Sequence, residues 1–344
     1  MGQAIAVLDV GGTSVKTGVV RFDDGDDPRV EIGPALPANS NETADLVLDS
    51  LAAGADAALR LAGPDAAGLS IGICGPFDIE AGISRMRGVH KFEEIYGIDL
   101  GAAIRERVPA AAALPIRFAR DAESAGTGEA LAGAGAGVDR VLTMTVGTGL
   151  GTCLTDHASP VEFIDGFGVE HLAMRATPWG GRADDVLSAH GLADRLGVAM
   201  SDLRAAVDDP ANADVVSDHG TRLGRFLGPV VVEFDAHIVV IGGGFSAAFD
   251  RFGPALQAAI GAVPVRPASL GTAGPILGAD HLTFRARGAP AARRGARGAG
   301  AGGGRSGAAA PTRGAAARTP RPRTAHRAGR AERASARGRD GPDR

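Results

Sequence analysis

Three observations in the sequence predict an α/β protein built in two halves. Apolar strand-like runs alternate with helix-periodic stretches, and a strand–glycine turn–strand unit occurs twice. The part of the chain able to fold, residues 1–284, also falls in the range of about 250–300 residues where single cores usually divide.

The elements follow in order. Ile5–Val10 and Val15–Phe22 are apolar runs flanking Gly11-Gly12, which reads as a hairpin. Asn39–Asn41 offer N-cap side chains for a helix reaching about Leu61, with Leu48, Leu51, Ala52, Ala55 and Leu59 on one face. Leu69–Cys74 is a buried strand ending at Gly75-Pro76, and a second helix is expected around Leu100–Val108. Ile116–Ala119 is a strand that delivers Asp121 to the start of a helix. Val141–Val146, the turn Gly147–Gly151 and Thr152–Leu154 repeat the first hairpin. A helix from about Ala213 is expected to kink or stop at Pro229, ahead of Val230–Phe234. His237–Ile241 is an apolar strand leading into Gly242-Gly243-Gly244, and Pro254–Ile260 looks helical.

Charge divides the chain differently. The net charge of -4 over 344 residues conceals a segment, Arg285–Arg344, with 16 Arg, 3 acids and no Leu, Ile, Val, Met, Phe, Tyr, Trp or Cys. Such a segment has too little apolar area to offset chain entropy, so a disordered basic tail is expected. The preceding 284 residues are acidic, at -17. Cys74 and Cys153 form neither a disulfide framework nor a CxxC pair, so structural zinc is unsupported. No secretion signal and no run of 18 apolar residues is present, so a cytoplasmic protein away from the membrane is expected.

The chemistry concentrates in glycine turns and one acid. In Asp9-Val10-Gly11-Gly12-Thr13-Ser14-Val15-Lys16 the paired glycines can present backbone N–H groups to phosphate oxygens. Thr13 adds a hydroxyl, Lys16 a cation, and Asp9 an oxygen ligand for Mg²⁺ or its waters. The same residues also read as an ordinary Gly-Gly hairpin beside an acid. Gly147, Thr148, Gly149 and Gly151 form a second candidate cradle, or a glycine-rich bend, and Gly242, Gly243 and Gly244 a third, or a flexible loop. Asp121 is the candidate general base for an acceptor hydroxyl, or a plain helix-capping aspartate. His90, Lys91, Glu170 and His171 are either polyol contacts or solvated surface residues.

These pieces occur in a fixed order: Asp9–Lys16, Gly75-Pro76-Phe77-Asp78, Phe118–Ser124, Gly147–Gly151, and Ile238–Ile241 followed by the triple glycine. The set resembles the ROK family (repressor, open reading frame, kinase) over about Ile5–Asp280. The resemblance implies a two-lobed actin-like ATPase fold of ribonuclease-H-like topology. It implies an N-terminal lobe at 1–117, a C-terminal lobe at 118–284 and the tail at 285–344. ATP, Mg²⁺ and a sugar are the implied ligands, a homodimer the implied assembly, and ATP-dependent phosphorylation of a sugar hydroxyl the implied activity. Asp9 takes the Mg²⁺-facing role, Gly11–Lys16 and Gly147–Gly151 the phosphate loops, Gly242–Gly244 the adenosine side, and Asp121 the base. Gly75, His90, Arg120, Glu170 and His171 are the implied sugar contacts.

The chain departs from the family at several points. Arg120 stands where the family places Asn. Gly168-Val169-Glu170-His171 is a remnant of the E-x-G-H motif, and the cysteine cluster is missing, so a zinc-less branch and no zinc are expected. The tail begins where the terminal helix is expected after Pro275–Asp280. Family repressors carry a helix-turn-helix ahead of the kinase-like body, whereas the first strand here starts at Ile5, so a kinase is expected. The alternative is a regulator or inactive relative that binds sugar or nucleotide without turnover. The tail reads either as a nucleic-acid contact acting by counterion release or as the product of a frame shift or a missed stop.

Overall fold

The first strand, β1 (Gln3–Val10), is apolar from Ala4 to Leu8 and again at Val10 because it is buried on both faces, with Asp9 the one buried polar residue in it. Ala4, Ala6, Leu8 and Val10 enter one core, while Ile5 and Val7 enter another on the opposite side. It pairs antiparallel with β2 (Ser14–Phe22), in a register that puts Asp9 opposite Lys16. β3 (Arg29–Pro37) covers the outer edge of β2 and was not foreseen; its residues are mostly exposed, as suits an edge strand with one neighbour. The computed structural model describes residues 3–22, 28–89, 91–164 and 167–286.

Helix α1 (Ala44–Ala62) buries Leu48, Leu51, Ala52, Ala55 and Leu59 against the sheet, the expected face. Its N-cap is Thr43, not one of Asn39–Asn41; Asn39 bonds the Ser50 hydroxyl and Ser40 the Gly12 carbonyl. β4 (Ala66–Ile73) lies parallel to β1. A two-stranded excursion, β5 (Phe77–Asp78) and β6 (Ile83–Ser84), leads to α2 (Leu100–Arg107), which Asp99 caps by accepting the Ala102 N–H at 2.9 Å. β7 (Ile116–Arg120) completes the sheet parallel to β4, giving the order β3-β2-β1-β4-β7.

After α3 (Asp121–Ala132) the pattern repeats. β8 (Arg140–Val146) and β9 (Leu150–Asp156) are the second hairpin, and β10 (Ser159–Pro160) its short outer strand. A small pair, β11 (Phe163–Ile164) and β12 (Phe167–Gly168), and helices α4 (Ala183–Leu187), α5 (Ala189–Leu196) and α6 (Leu203–Asp208) precede the long α7 (Ala213–Phe234). β13 (Ile238–Gly242), α8 (Phe249–Ile260) and β14 (Val265–Pro267) follow. The second sheet runs β10-β9-β8-β13-β14, with the same alternation of antiparallel and parallel neighbours as the first.

Two expectations about helices are corrected. α7 passes through Pro229 to Phe234, so Val230–Phe234 is helix. Burial of Val230, Val231 and Phe234 in the second core outweighs the roughly 3 kcal/mol that an interior proline costs. The terminal helix is present as well. α9 (Ala273–Asp280), continued by a π turn over His281–Arg285, inserts Ile276, Leu277 and Ala279 between Ile5, Val7 and Val20 of the first sheet. It crosses α3 so closely that a Cβ on Gly278 would overlap the Ser124 backbone. The buried Glu129 carboxylate accepts the N–H groups of Ala134, Ser269 and Leu270, which fixes α3 to the segment entering α9.

Residues 1–292 form one compact unit that holds both sheets. Of the expected disordered tail, 285–344, Arg285 belongs instead to the π turn, where burial of the preceding turn carries it, and 287–344 lie outside the described residues. Among the described residues no helix is long and apolar enough to cross a membrane.

Candidate functional site

Parallel pairing of β1, β4 and β7 aligns Val10, Ile73 and Arg120, so the segments after them leave the sheet side by side at its carboxyl edge. That edge is where open α/β sheets bind ligands. It brings together Gly11-Gly12, Cys74-Gly75 and Asp121. In the second sheet, Gly242 pairs with Thr145, which places the loops after β8 and β13 next to each other. Gly243, at φ 81°, has no room for a Cβ against the Val146 backbone.

The two sheets meet at α3. Ala122, next to Asp121, packs on Gly151, where a Cβ would lie 2.7 Å from the alanine methyl. Asp121 is the first helical residue, with Arg120 as N-cap, and its Oδ1 accepts the Ala122 N–H at 2.8 Å. Burial pushes the Asp121 carboxyl above the ordinary aspartate range, and the Asp9 charge adds to the rise; Lys91 and the Ala122 N–H work against it without cancelling it.

Loop one is tied down by its neighbours. Gly11 N–H donates to the Ser14 carbonyl at 3.0 Å, Ala38 N–H to the Thr13 carbonyl at 3.1 Å, and the Ser40 hydroxyl to the Gly12 carbonyl at 2.5 Å. Beneath it Lys16 Nζ bonds Asp9 Oδ2 at 2.8 Å, and Asp9 is 6% exposed. Loop two is held by Gly147 N–H on the Gly149 carbonyl, by Leu150 N–H on Asp184 Oδ1 at 2.6 Å, and by Ala189 N–H on the Gly147 carbonyl at 2.9 Å. His190 Nδ1 lies 3.2 Å from the Thr148 carbonyl. The amides of Gly11 and Gly147 therefore shape their turns. Among the described residues, those of Gly12, Thr13, Thr148 and Gly149 have no partner and remain available to an anion.

Two more side chains join this site: Lys91, which the sequence offered as a polyol contact or a solvated surface residue, and Asp184, to which it gave no role. Lys91 lies with its Cδ 3.4 Å from where a Gly12 Cβ would stand. Burial on its own would depress its ammonium, but Cys74, Asp121 and Asp184 more than compensate and hold it above the ordinary lysine range. Burial drives the Cys74 thiol up to about 12. Asp184, besides holding Leu150, stands over Gly149. Only the character of Lys91 as a cation in a polar loop hinted at its place, and Asp184 carried no such sign.

The other sequence-predicted residues are spread more widely. Arg120 turns its guanidinium to Glu123 at 3.0 Å. Gly75 is exposed on the loop after β4. His90 lies outside the described residues, as do the side chains of Glu170 and His171, whose backbone belongs to the short helix Val169–Met174.

Magnesium is commonly held by one or two carboxylates together with substrate phosphates, and Asp9, buried at the carboxyl end of β1 beneath loop one, offers one such carboxylate. Among the described residues no group of three or more His, Cys, Asp or Glu is arranged to hold a metal on its own.

The ROK family model matches residues 5–167. The chain is similar to the inorganic polyphosphate/ATP-glucomannokinase of Arthrobacter sp. strain KM, at 25% identity over 80% of this chain and 96% of that one, with a TM-score of 0.60. It is similar to a ROK family glucokinase from Streptomyces griseus solved with glucose and AMPPNP, at 21% identity over 82% and 99%, with a TM-score of 0.62. A ROK family transcriptional regulator, homologous to the E. coli MLC protein, is 17% identical over 80% and 76%, with a TM-score of 0.60. No curated protein sequence matches the chain.

Proposed function

Because the chain belongs to the ROK family over residues 5–167, we propose that it transfers the γ-phosphoryl group of ATP to a hydroxyl of a hexose or related sugar. The observation that carries this reading is the placing of a buried acid, Asp121, beside Gly11-Gly12 at the carboxyl edge of the first sheet and, through Ala122, against Gly151 of the second glycine hairpin, with unpaired amides in both loops among the described residues.

In this reading the acceptor hydroxyl gives its proton to Asp121, whose raised pKa makes it a better base than a solvated aspartate. The amides of Gly12, Thr13, Thr148 and Gly149 orient the phosphates, and the Gly242–Gly244 turn, pressed against Val146, lines the nucleotide side. Magnesium near Asp9 would neutralise phosphate charge. Lys16 keeps the Asp9 carboxylate oriented.

ADP release measured across a panel of sugars tests the proposal. Wild type is expected to turn over at least one hexose and Asp121→Asn to lose about 10²–10⁴-fold in kcat. Equal rates in the two proteins remove Asp121 from the chemistry.

A second reading is a binding-only regulator. It draws on the fold shared with a transcriptional regulator and on Arg120, whose guanidinium is paired with Glu123 at a position where the family carries an amide. Calorimetry showing ATP or sugar binding with no turnover on any sugar supports it over the kinase.

A further inference from the structure

Lys91 occupies a position that the reaction outlined above leaves unused. Its aliphatic stem passes the tip of loop one, with Cδ 3.4 Å from where a Gly12 Cβ would stand. Its ammonium bonds Cys74 and feels the charges of Asp121 and Asp184. Asp184 holds loop two through Leu150 and stands over Gly149. One cation therefore lies at the tip of loop one, in the field of the acid and of the carboxylate that holds loop two. The other cations here already have partners: Lys16 is paired with Asp9 at 2.8 Å and Arg120 with Glu123 at 3.0 Å.

The backbone holds Lys91 in place at a cost. Phe92, the next residue, is fully buried and sits in the left-handed region at φ 56°, ψ 23°. A bulky residue there carries roughly 1–2 kcal/mol of strain, and such strain persists where packing over-determines the position. Phe92 N–H donates to the Ser40 carbonyl at 2.6 Å, and the Ser40 hydroxyl donates to the Gly12 carbonyl. Lys91 is thus fixed to the same serine that clamps loop one.

We propose that Lys91 is a catalytic residue that hydrogen-bonds the phosphoryl group during transfer, an inference that rests on the kinase reading above. As the acceptor O–H loses its proton to Asp121, the acceptor oxygen forms its bond to the γ-phosphorus. The bond from that phosphorus to the bridging oxygen breaks, and its electron pair leaves with ADP. Lys91 keeps its own protons and donates hydrogen bonds to the oxygens on which charge builds. Asp184 and Cys74 hold the ammonium until the phosphate arrives.

The test compares ADP with ADP plus aluminium fluoride, a planar mimic of the group in flight, in the presence of Mg²⁺, by calorimetry on the full chain. Lys91→Met is expected to bind ADP within about threefold of wild type and to lose about 10²-fold in affinity for the fluoroaluminate complex; kcat falls about 10²–10³-fold with small changes in KM. Lys91→Arg is expected to recover most of the discrimination. If the methionine variant does not fold, Lys91→Gln is judged by the same criteria. Unchanged fluoroaluminate affinity, or an equal loss with ADP alone, overturns the proposal. A wild-type protein that discriminates the mimic but phosphorylates no sugar sinks the kinase reading and leaves the contact of Lys91 with the planar group standing. A wild type that binds no ADP sinks both.

Discussion

The two glycine hairpins occupy equivalent places in two sheets of the same strand order, yet they are held by different means. Loop one rests on a cross-strand pair, Asp9 and Lys16, seven residues apart in the chain, with Ser40 clamping its tip. Loop two rests on Asp184, 34 residues from Leu150, and on the start of α5. Topology decides where each glycine loop lies; the groups that stiffen it are whichever neighbours the rest of the fold presents. The first hairpin has a cross-strand ion pair of its own beneath the clamp from Ser40, whereas the second takes its carboxylate from a helix further along the chain.

The largest effect expected from breaking this arrangement is at Gly243. A Cβ there meets the Val146 backbone in a residue already at φ 81°, so Gly243→Ala should cost at least about 2–3 kcal/mol and lower Tm by several degrees. Gly12→Ala makes only an ordinary contact with Lys91, so it should keep its Tm and instead raise the KM for ATP. Thermal unfolding and steady-state kinetics on both variants separate a glycine needed by the fold from one needed by the site. A Gly243→Ala protein as stable as wild type means the two loops are not pressed together.

A smaller effect tests the supports. Asp184→Asn weakens a charged acceptor on a half-buried amide and should cost about 1–2 kcal/mol locally, read as faster hydrogen exchange at Leu150. Lys16→Met strands the Asp9 carboxylate, 6% exposed, without its cation; it should cost about 1–3 kcal/mol and leave hydrogen exchange at Leu150 unchanged. Faster exchange at Leu150 in the lysine variant means the two loops do not have separate supports.

The mildest probe is pH. Burial and Asp9 raise the Asp121 pKa, so this residue holds its proton more tightly in the folded state than in the unfolded chain. Its contribution to stability is then full below 3.8 and is lost as pH rises through the folded value. Activity runs the other way, since the base works only when ionised, so kcat/KM should rise with pH through that same value. Titrating Tm and kcat/KM together should give opposite slopes, and Asp121→Asn should flatten both.

What could be read from the sequence was whatever a short stretch specifies by itself. Apolar runs around Gly11-Gly12 and around Gly147–Gly151 predicted both hairpins because strand periodicity and turn chemistry are local. The start of α3 at Asp121 and the apolar face of α1 were legible for the same reason. Of the candidate site, the sequence placed the glycine loops and one acid at element ends. Tertiary structure decided the rest. β3 has no strong pattern of its own and exists through pairing with β2; α7 runs through Pro229 because the residues beyond it find a core; and α9 returns to cover β1. Lys91 came to face Asp121 and Asp184 only when loops far apart in the chain met at the carboxyl edges of two sheets, since a charged side chain in a loop carries no local sign of the charge it will face.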